Sequence, residues 1–465
     1  MSISRSFWAA VVALLGFASL VFASPFAHSS PLLTRQSDSV PVPADDPFYT
    51  PPAGFENTEP GTVLRSRPFQ STLFSKLSYS VCAYQILYRT TAVDGCPIAT
   101  VTTVFKPESS NVMTDRFVSY ATAYDSSDSK CDPSYAYRLG TSNSSDVGDS
   151  DLEFLLISAY MNLGYIVNSP DYEGPGAAFG PGHLAGMCVL DSMRAVINFR
   201  ETIGFTTDRP GIFGQGYSGG AIATGWAASL QPTYAPELPI KGWAHGGTPA
   251  NLTGVTVYID GTDNSGYLVA AVSGLAMPTA YGAELQPVLN RILTPSGKAA
   301  VAYGDTHCSS DDLSTYSNVS ITSYDFQKLG PAIFEQPTIK RVFKANIMGR
   351  LKRETPAHPV LVYHSIQDQI IPWHNASSLV DRWCSRGANV TFTTYESGTH
   401  EQTAVNAIGE VFAFADSVFA GTTPVGCTRQ YQFHFCICGL QNVLGLVGGL
   451  PPYAFTSPCD ESTPV

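Results

Sequence analysis

The chain is poor in charged residues. Only 14% of its 465 residues are Asp, Glu, Lys or Arg, against about 25% in average globular proteins. The 26 basic residues form no run, and the 38 acidic residues leave a net charge of −12. Nucleic acid is therefore a poor partner, because binding it requires a concentrated basic surface. The low charge does not indicate disorder, because 44% of the residues are hydrophobic.

Motifs for metals and nucleotides are also missing. The sequence has no H-E-x-x-H pair or other metal-ligand spacing and no P-loop. Cys436 and Cys438 form a Cys-x-Cys pair, but no second pair and no nearby His pair stands at zinc spacing. A disulfide or a free thiol is the favoured interpretation there. We expect no metal and no cofactor.

Long apolar runs are absent except at the N-terminus. Arg5 precedes an apolar stretch at 8–21, and small residues follow at 22–24 before Pro25. This pattern is typical of a secretory signal peptide at 1–23, cleaved after Ala23. The run is too short to span a membrane, and its flanks disfavour a buried N-terminal helix. The sequence predicts a secreted protein with no membrane span.

Cysteines and sequons agree with that location. The ten cysteines are an even number, which suits disulfides in an oxidising compartment. Cys188 lies in a predicted helix at 186–204, and we expect it to be a free, buried thiol. N-glycosylation sequons are a second indication, because they mark surface loops of secreted proteins. The candidate acceptors are Asn143, Asn251, Asn318, Asn375 and Asn389.

Short apolar strands alternate with helical patterns from about residue 78. A hairpin is predicted where segments 82–89 and 98–105 flank an Asp-Gly turn. Several later strands are apolar on both faces, as buried parallel strands are. The alternation predicts an α/β fold with a mostly parallel sheet. The later strand candidates are 117–124, 165–169, 211–214, 240–244, 360–363 and 390–395.

One connection is far too long for a simple crossover. More than a hundred residues separate the strands at 240–244 and 360–363, whereas a βαβ unit takes about 30. Helical apolar stretches at 267–277, 287–293 and 339–347 lie between them. The predicted organisation is an extended N-terminal arm at 24–65, a core at 66–247 and 351–430, an inserted helical cap or lid at 248–350 and a C-terminal tail or flap at 431–465.

The strongest chemical signal is the one G-x-S-x-G in the chain, which comprises Gly216, Tyr217, Ser218, Gly219 and Gly220. A short apolar strand precedes it and a helix of small residues follows it. This is the context of a nucleophile elbow, which presents a serine on a strained strand-to-helix turn. The alternative is a tight glycine turn that carries an ordinary surface serine. The context favours Ser218 as a nucleophile.

A serine hydroxyl needs a histidine base and a carboxylate that orients it. In α/β-hydrolases the acid and then the histidine follow the serine along the chain. Asp368 comes directly after the buried strand at 360–363, and His400 after the strand at 390–395. Both therefore fall in loops at strand ends, where catalytic groups gather. The predicted triad is Ser218, Asp368 and His400.

Other polar residues were weighed for the same roles. His364 and His374 flank Asp368 and are interpreted as loop or packing histidines. Asp305 and His307 lie in the predicted cap, away from any strand of the sheet. His245 opens a His-Gly-Gly sequence like that of some oxyanion holes, but it follows the nucleophile, whereas the donor comes from an earlier loop. We interpret it as a strand-end turn.

Taken together, these motifs are similar to those of the fungal secretory lipase family, of lipase A type. The similarity runs in the same order from about residue 45 to 427. It rests on Asp-Pro-Phe-Tyr-Thr-Pro-Pro at 46–52, Leu-Tyr-Arg-Thr-Thr at 87–91, Tyr-Asp-Ser at 124–126, Ser-Pro-Asp-Tyr-Glu-Gly at 169–174, the elbow at 216–220, Asp368 with Ile-Pro at 371–372, and Thr-His at 399–400.

The resemblance implies an α/β-hydrolase core, a helical cap over the active site and Ser-Asp-His catalysis on acyl esters. It places the oxyanion hole at Gly219, through its backbone N–H, and at Asp125. An ionised carboxylate would repel an oxyanion, so Asp125 must act through its backbone N–H or as a protonated acid. The family pattern further implies two disulfides, Cys131–Cys308 and Cys384–Cys427. The tail after residue 427 departs from that pattern.

The sequence thus predicts a secreted serine lipase or esterase. Its expected substrates are carboxylic esters, triacylglycerols above all, met at a lipid–water interface. One alternative is an esterase that deacetylates a fungal secondary metabolite, and another is a transferase in which an alcohol replaces water. A non-catalytic binding protein with the same fold is the alternative from a different class, because fold alone does not guarantee function.

Overall fold

The computed structural model describes residues 40–432, apart from 74–76, 79–80 and 142–147. The predicted signal peptide, the arm up to residue 39 and most of the tail lie outside the described residues. So do Asn143, Cys436 and Cys438. The strands, in chain order, are β1 (Val63–Phe69), β2 (Thr72–Leu73), β3 (Leu77–Ser78), β4 (Cys82–Thr91), β5 (Pro97–Lys106), β6 (Met113–Ala121), β7 (Tyr165–Pro170), β8 (Gly211–Tyr217), β9 (Ile240–Gly246), β10 (Val360–Ser365), β11 (Val390–Tyr395) and β12 (Cys427–Gln432).

Ten of these strands form one sheet in the order β1-β4-β5-β7-β6-β8-β9-β10-β11-β12, and β2 pairs with β3 separately. Neighbours from β7 to β12 are parallel, whereas β1, β4 and β5 add to the β7 edge in antiparallel fashion. Every residue of β7, β8 and β10 is buried, which explains their apolar runs. The predicted α/β fold with a mostly parallel sheet is confirmed, and so is the β4–β5 hairpin.

Helices connect the strands. The α-helices are Pro133–Ala136, Gly148–Asn162, Gly182–Asn198, Arg200–Ile203, Gly219–Tyr234, Leu252–Ile259, Gly266–Leu275, Gly282–Ile292, Pro295–Gly304, Ser309–Thr315, Pro337–Ala345, Trp373–Cys384, His400–Asn406 and Ile408–Ala420. In the described part of the chain no single helix is long and apolar enough to cross a membrane. The last two helices qualify by length and composition only if taken together across a 47° bend.

The helix predicted at 186–204 begins earlier, at Gly182, and ends at Asn198. Gly182 precedes the predicted range and Gly186 begins it, and both glycines allow close packing between two helices. A Cβ atom at either position would overlap Trp226 of the helix Gly219–Tyr234. This close packing supports the helix that follows the nucleophile elbow.

The predicted arm and the predicted tail each overlap an outer strand of the sheet by a few residues. The arm predicted to end at residue 65 overlaps β1, an edge strand, and the tail predicted to begin at residue 431 overlaps β12. β1 is half-buried to exposed and contains Pro68, and β12 is exposed along its whole length. Neither strand therefore carries the apolar pattern by which a buried strand is recognised.

Between β9 and β10 lies the long insertion. The helical stretches predicted at 267–277, 287–293 and 339–347 correspond to the helices Gly266–Leu275, Gly282–Ile292 and Pro337–Ala345. A disulfide joins Cys131, which follows β6, to Cys308 in the insertion. A second disulfide joins Cys384 to Cys427 at the start of β12. Both pairings are those that the family resemblance implies. Cys188 is a free, buried thiol, as predicted.

Candidate active site

Ser218 stands on a sharp turn between β8 and the helix Gly219–Tyr234. Its backbone has φ 54° and ψ −119°, a conformation that residues with a side chain rarely adopt and that commonly marks a functional position. The flanking glycines make the turn possible. A Cβ atom at Gly216 would overlap the carbonyl of Gly220, and one at Gly220 would overlap the carbonyl of Ala121. The turn has the geometry of a nucleophile elbow.

Asp368, in the loop after β10, and His400, at the start of the helix His400–Asn406 that follows β11, meet beside this turn. The Nδ1 atom of His400 lies 2.7 Å from Oδ2 of Asp368. Because a carboxylate only accepts hydrogen bonds, Nδ1 carries the proton and donates it. Oδ1 of Asp368 accepts from the backbone N–H groups of Ile370, at 2.9 Å, and Ile371, at 2.7 Å. The carboxylate is therefore held from both sides.

The two charges shift each other's pKa. Burial alone would raise the pKa of Asp368, but the positive form of His400 and the hydrogen bonds from His364 and His400 outweigh it and lower that pKa well below 3.8. Burial alone would lower the pKa of His400, but the charge and hydrogen bond of Asp368, with smaller contributions from Glu401 and Asp125, raise it above 6.5.

Tyr217 links the histidine to the elbow. Its hydroxyl donates to the backbone carbonyl of His400 at 2.7 Å, and the two ring centroids are 4.8 Å apart. In the described part of the chain, the buried Nε2 atom of His400 has no hydrogen-bond partner. That atom is the one that a triad uses to take the serine proton, and catalytic hydrogen bonds often tighten only when substrate binds.

Asp125 faces the residue after the serine. It follows β6 by four residues and has a φ of 46°, and its side chain is 8% exposed. A Cβ atom at Gly219 would overlap the carboxylate of Asp125, so only glycine permits this close approach. The backbone N–H of Gly219 belongs to the first turn of a helix, where N–H groups are free to bind an anion.

A cavity opens on Ser218 and runs beneath the insertion. It encloses about 1060 Å³, counting the space that is open to solvent at its mouth. Its walls are almost entirely apolar, and Asp125, Ser218 and Gly219 also line it. The apolar lining residues are Phe179, Ile222, Pro249, Leu252, Val255, Ile259, Leu268, Ala271, Val272, Leu275, Leu285, Leu289, Ile321, Ile333, Phe334, Ile339, Val342, Phe343, Ile370 and Ile371.

The other candidate histidines do not contact the Asp368 carboxylate in the described part of the chain, with one exception. His374 is exposed, His307 stacks on Tyr303 in the insertion, and His245 is buried in β9 with its Nδ1 atom 2.8 Å from Thr248 Oγ1. His364 was interpreted as a loop or packing histidine, but it lies in β10 with Nε2 3.2 Å from Asp368 Oδ2. Its sequence signal is the spacing of four residues from the acid, which does not by itself separate an orienting role from a packing role.

The sequons differ in accessibility. Asn318 is exposed, and Asn251 and Asn389 are half-buried. Asn375 is only 4% exposed, and its amide donates to the carbonyl of Asn251. We withdraw Asn375 as a glycosylation candidate, because a buried, hydrogen-bonded amide cannot carry a bulky glycan. The acceptor role of the three others stays a prediction.

The pKa of His400 leads to an expected pH profile. If His400 is the base, it must be neutral to accept a proton, so activity falls as pH drops through its pKa. We expect the acid limb of kcat/KM on a small ester to have its midpoint above pH 6.5. In Asp368→Asn the limb should move to lower pH, because burial remains and the opposing charge is lost. A wild-type midpoint below 6.5 would contradict this.

These features define a class of protein. A mostly parallel sheet, a serine on a strained turn after a strand, and a carboxylate–histidine pair after two later strands are the parts of an α/β-hydrolase. Comparison with known proteins agrees. Residues 143–427 match the secretory lipase family. The chain is 39% identical over 381 residues to the secreted triacylglycerol lipase LIP1 of Malassezia furfur, covering 81% of this chain and 76% of that relative.

A second relative, the secreted triacylglycerol lipase LIP2 of Malassezia furfur, is 35% identical over 424 residues, 88% of this chain and 89% of its own. Lipase A of Candida antarctica in its closed state superposes with a TM-score of 0.78 at 28% identity, covering 89% of this chain and 95% of that one. The esterase LipA of Xanthomonas oryzae shares the fold, with a TM-score of 0.60 at 16% identity. The chain belongs to the secretory lipase family. Its predicted secretion is confirmed by these secreted relatives.

Proposed function

We propose that the protein is a triacylglycerol lipase that uses Ser218 as nucleophile, His400 as base and Asp368 as the residue that orients it. One observation carries the proposal: an apolar cavity is lined in part by a strained serine that stands beside a buried carboxylate–histidine pair. The relatives named as secreted triacylglycerol lipases support the choice of substrate.

The reaction follows from the geometry. Ser218 attacks the ester carbonyl while Nε2 of His400 takes its proton, and Asp368 holds the imidazole in the tautomer that leaves Nε2 free. The backbone N–H of Gly219 stabilises the oxyanion. Asp125 does so too, either through its backbone N–H or as a protonated acid. His400 then protonates the departing alcohol. Water attacks the acyl-enzyme by the same route and releases the fatty acid.

The apolar cavity is the acyl site in this proposal. Each methylene group of a fatty acid that leaves water for such a wall contributes about 0.8 kcal/mol. Leu268 and Val272 of the insertion line it, as does Ile371 of the core. We infer that the insertion at 248–350 acts as the cap, because it supplies much of the wall between the serine and solvent.

Exposed apolar side chains near the Asp368 loop support contact with a lipid surface. Ile366 is 50% exposed, and Val257 and Tyr258 are 62% and 45% exposed. The hydroxyl of Tyr258 donates to the backbone carbonyl of Asp368 at 2.9 Å, which places this helix beside the catalytic loop. Exposed apolar groups of this kind commonly mark a contact surface.

A rate series tests the proposal. Hydrolysis should be measured on esters from acetyl to long-chain acyl, with emulsified triacylglycerol alongside. We expect kcat/KM to rise with chain length and triacylglycerol to be cleaved. Activity on acetate alone would indicate a small-ester esterase, product transfer to an added alcohol would indicate a transferase, and no turnover would indicate a binding protein.

Substitution in the cavity wall separates chain-length selection from stability. Val272→Asp should lower kcat/KM on a long-chain ester at least about tenfold and leave acetate hydrolysis much less affected, because a charge in the cavity wall opposes the packing of a long acyl chain, which an acetyl group does not need. Val301→Asp is a matched control, since Val301 is also half-buried in the insertion but does not line the cavity. Equal losses on both esters in Val272→Asp would make the insertion mere packing.

A further inference from the structure

His364 is a buried histidine that the triad does not include. It lies in β10, four residues before Asp368, and its side chain is 0% exposed. Its Nε2 atom is 2.9 Å from the backbone carbonyl oxygen of Ile371 and 3.2 Å from Oδ2 of Asp368. Its Nδ1 atom is 3.3 Å from the backbone nitrogen of Thr248. Both ring nitrogens therefore have partners.

These partners fix the tautomer of His364. The backbone N–H of Thr248 can only donate, so Nδ1 of His364 must accept and carry no proton. The neutral ring then has its proton on Nε2, between two acceptors, the Ile371 carbonyl and the Asp368 carboxylate. This one N–H group thus contacts both Asp368 and Ile371. These two residues are also joined directly, because Ile371 donates its backbone N–H to Oδ1 of Asp368.

We propose that His364 is a positioning residue for catalysis, which holds Asp368 in the orientation that presents Oδ2 to His400. Oδ1 accepts hydrogen bonds from two backbone N–H groups. The recorded contacts of Oδ2 are with His364 and His400. Loss of the His364 contact leaves His400 as the one recorded partner of Oδ2, so this side of the carboxylate is held less firmly. This inference rests on the proposed function, because it assigns a role through the same triad.

The charged and titratable groups around the pair are known. Asp368 and His245 face His364, and Asp368, Glu401 and Asp125 face His400. The Nε2–H group of His364 presents the positive end of its dipole to Oδ2 of Asp368. Removal of this donor makes Oδ2 a stronger acceptor for His400, so the protonated form of His400 gains stability and the acid limb of kcat/KM moves to higher pH.

Two variants of His364 test the role. His364→Leu keeps the volume and removes the donor, and we expect kcat on a small ester to fall about ten- to a hundredfold with KM little changed, the size that a hydrogen bond to a charged group supports. The acid limb should move to higher pH. His364→Gln can place an amide N–H where Nε2–H stands, and it should restore most of kcat and the position of the limb. His358→Leu is the matched control, because His358 is a half-buried histidine just before β10 with no recorded contact to Asp368 or His400 in the described part of the chain, and it should leave both unchanged.

A purely structural role gives a different result. Equal losses in the Leu and Gln variants, or an unmoved acid limb in His364→Leu, would overturn the proposal. If His364→Leu does not fold, nitrogen-15 NMR of histidine-labelled wild-type protein decides, because the proposal requires the proton of His364 on Nε2, and a proton on Nδ1 would overturn it. This readout needs no turnover, so it stands apart from the ester assay, whose failure in the wild type would reject the proposed function.

Discussion

Ser218→Ala is expected to abolish ester hydrolysis, with a fall in kcat of about 10⁶-fold, the loss seen when a nucleophile is removed from a triad. The fold should survive. Alanine has the same Cβ atom as serine, so the strained turn at φ 54° gains no new clash. The hydroxyl of Ser218 forms no capping hydrogen bond to the helix that follows, so its removal costs the folded state little.

Turnover and folding should be measured on the same preparation, by ester hydrolysis and by thermal unfolding. Ser229→Ala is a suitable control, because Ser229 is a buried hydroxyl on the same helix whose Oγ atom donates to the carbonyl of Gly225. It should lose some stability and keep its rate. If Ser218→Ala kept more than about one hundredth of the wild-type rate, another residue would be the nucleophile.

The core of the fold was predictable because its signals are local. Strands buried on both faces are apolar throughout, and an Asp-Gly turn between two apolar segments indicates the β4–β5 hairpin. The elbow is recognisable because close backbone approaches at Gly216 and Gly220 leave room for glycine alone. Burial and close packing restrict which residue types can occupy these positions, so these strands, the hairpin and the elbow could be predicted from the sequence.

The features that were missed depend on contacts between distant residues. β12 is exposed along its length and pairs with β11 through backbone and polar side-chain hydrogen bonds, so its sequence carries no hydrophobic pattern. Gly182, the first residue of the helix Gly182–Asn198, packs closely against Trp226, which is far away in sequence. Asn375 is buried and hydrogen-bonded to Asn251, and a sequon has the same sequence whether it is buried or exposed.

His364 shows how this limit affects the candidate site. A histidine near an acid in the sequence is compatible with a loop, a packing or an orienting role. What separates them is the proton on Nε2, and that is set by the backbone N–H of Thr248, 116 residues away in the chain. Chain order could identify Asp368 and His400, because family geometry constrains both. It could not identify a residue whose role depends on a tautomer.

His400→Ala is expected to be as damaging as Ser218→Ala, and the double variant should lose no more than either single one. Each change removes the same step, since an unactivated serine hydroxyl is a poor nucleophile and a base without a nucleophile has nothing to deprotonate. Each single variant should therefore fall about 10⁶-fold in kcat on a small ester, and the double variant should show the same rate.

The control is His374→Ala, which removes an exposed imidazole from the helix after the Asp368 loop and should keep the wild-type rate. The measurement is kcat for the four proteins under one set of conditions. A double variant slower than either single one by the product of their losses would mean that the two residues act in separate steps. A severe loss in His374→Ala together with a mild one in His400→Ala would mean that His374, and not His400, is the base. The 2.7 Å contact between His400 and the Asp368 carboxylate would then have a structural role alone.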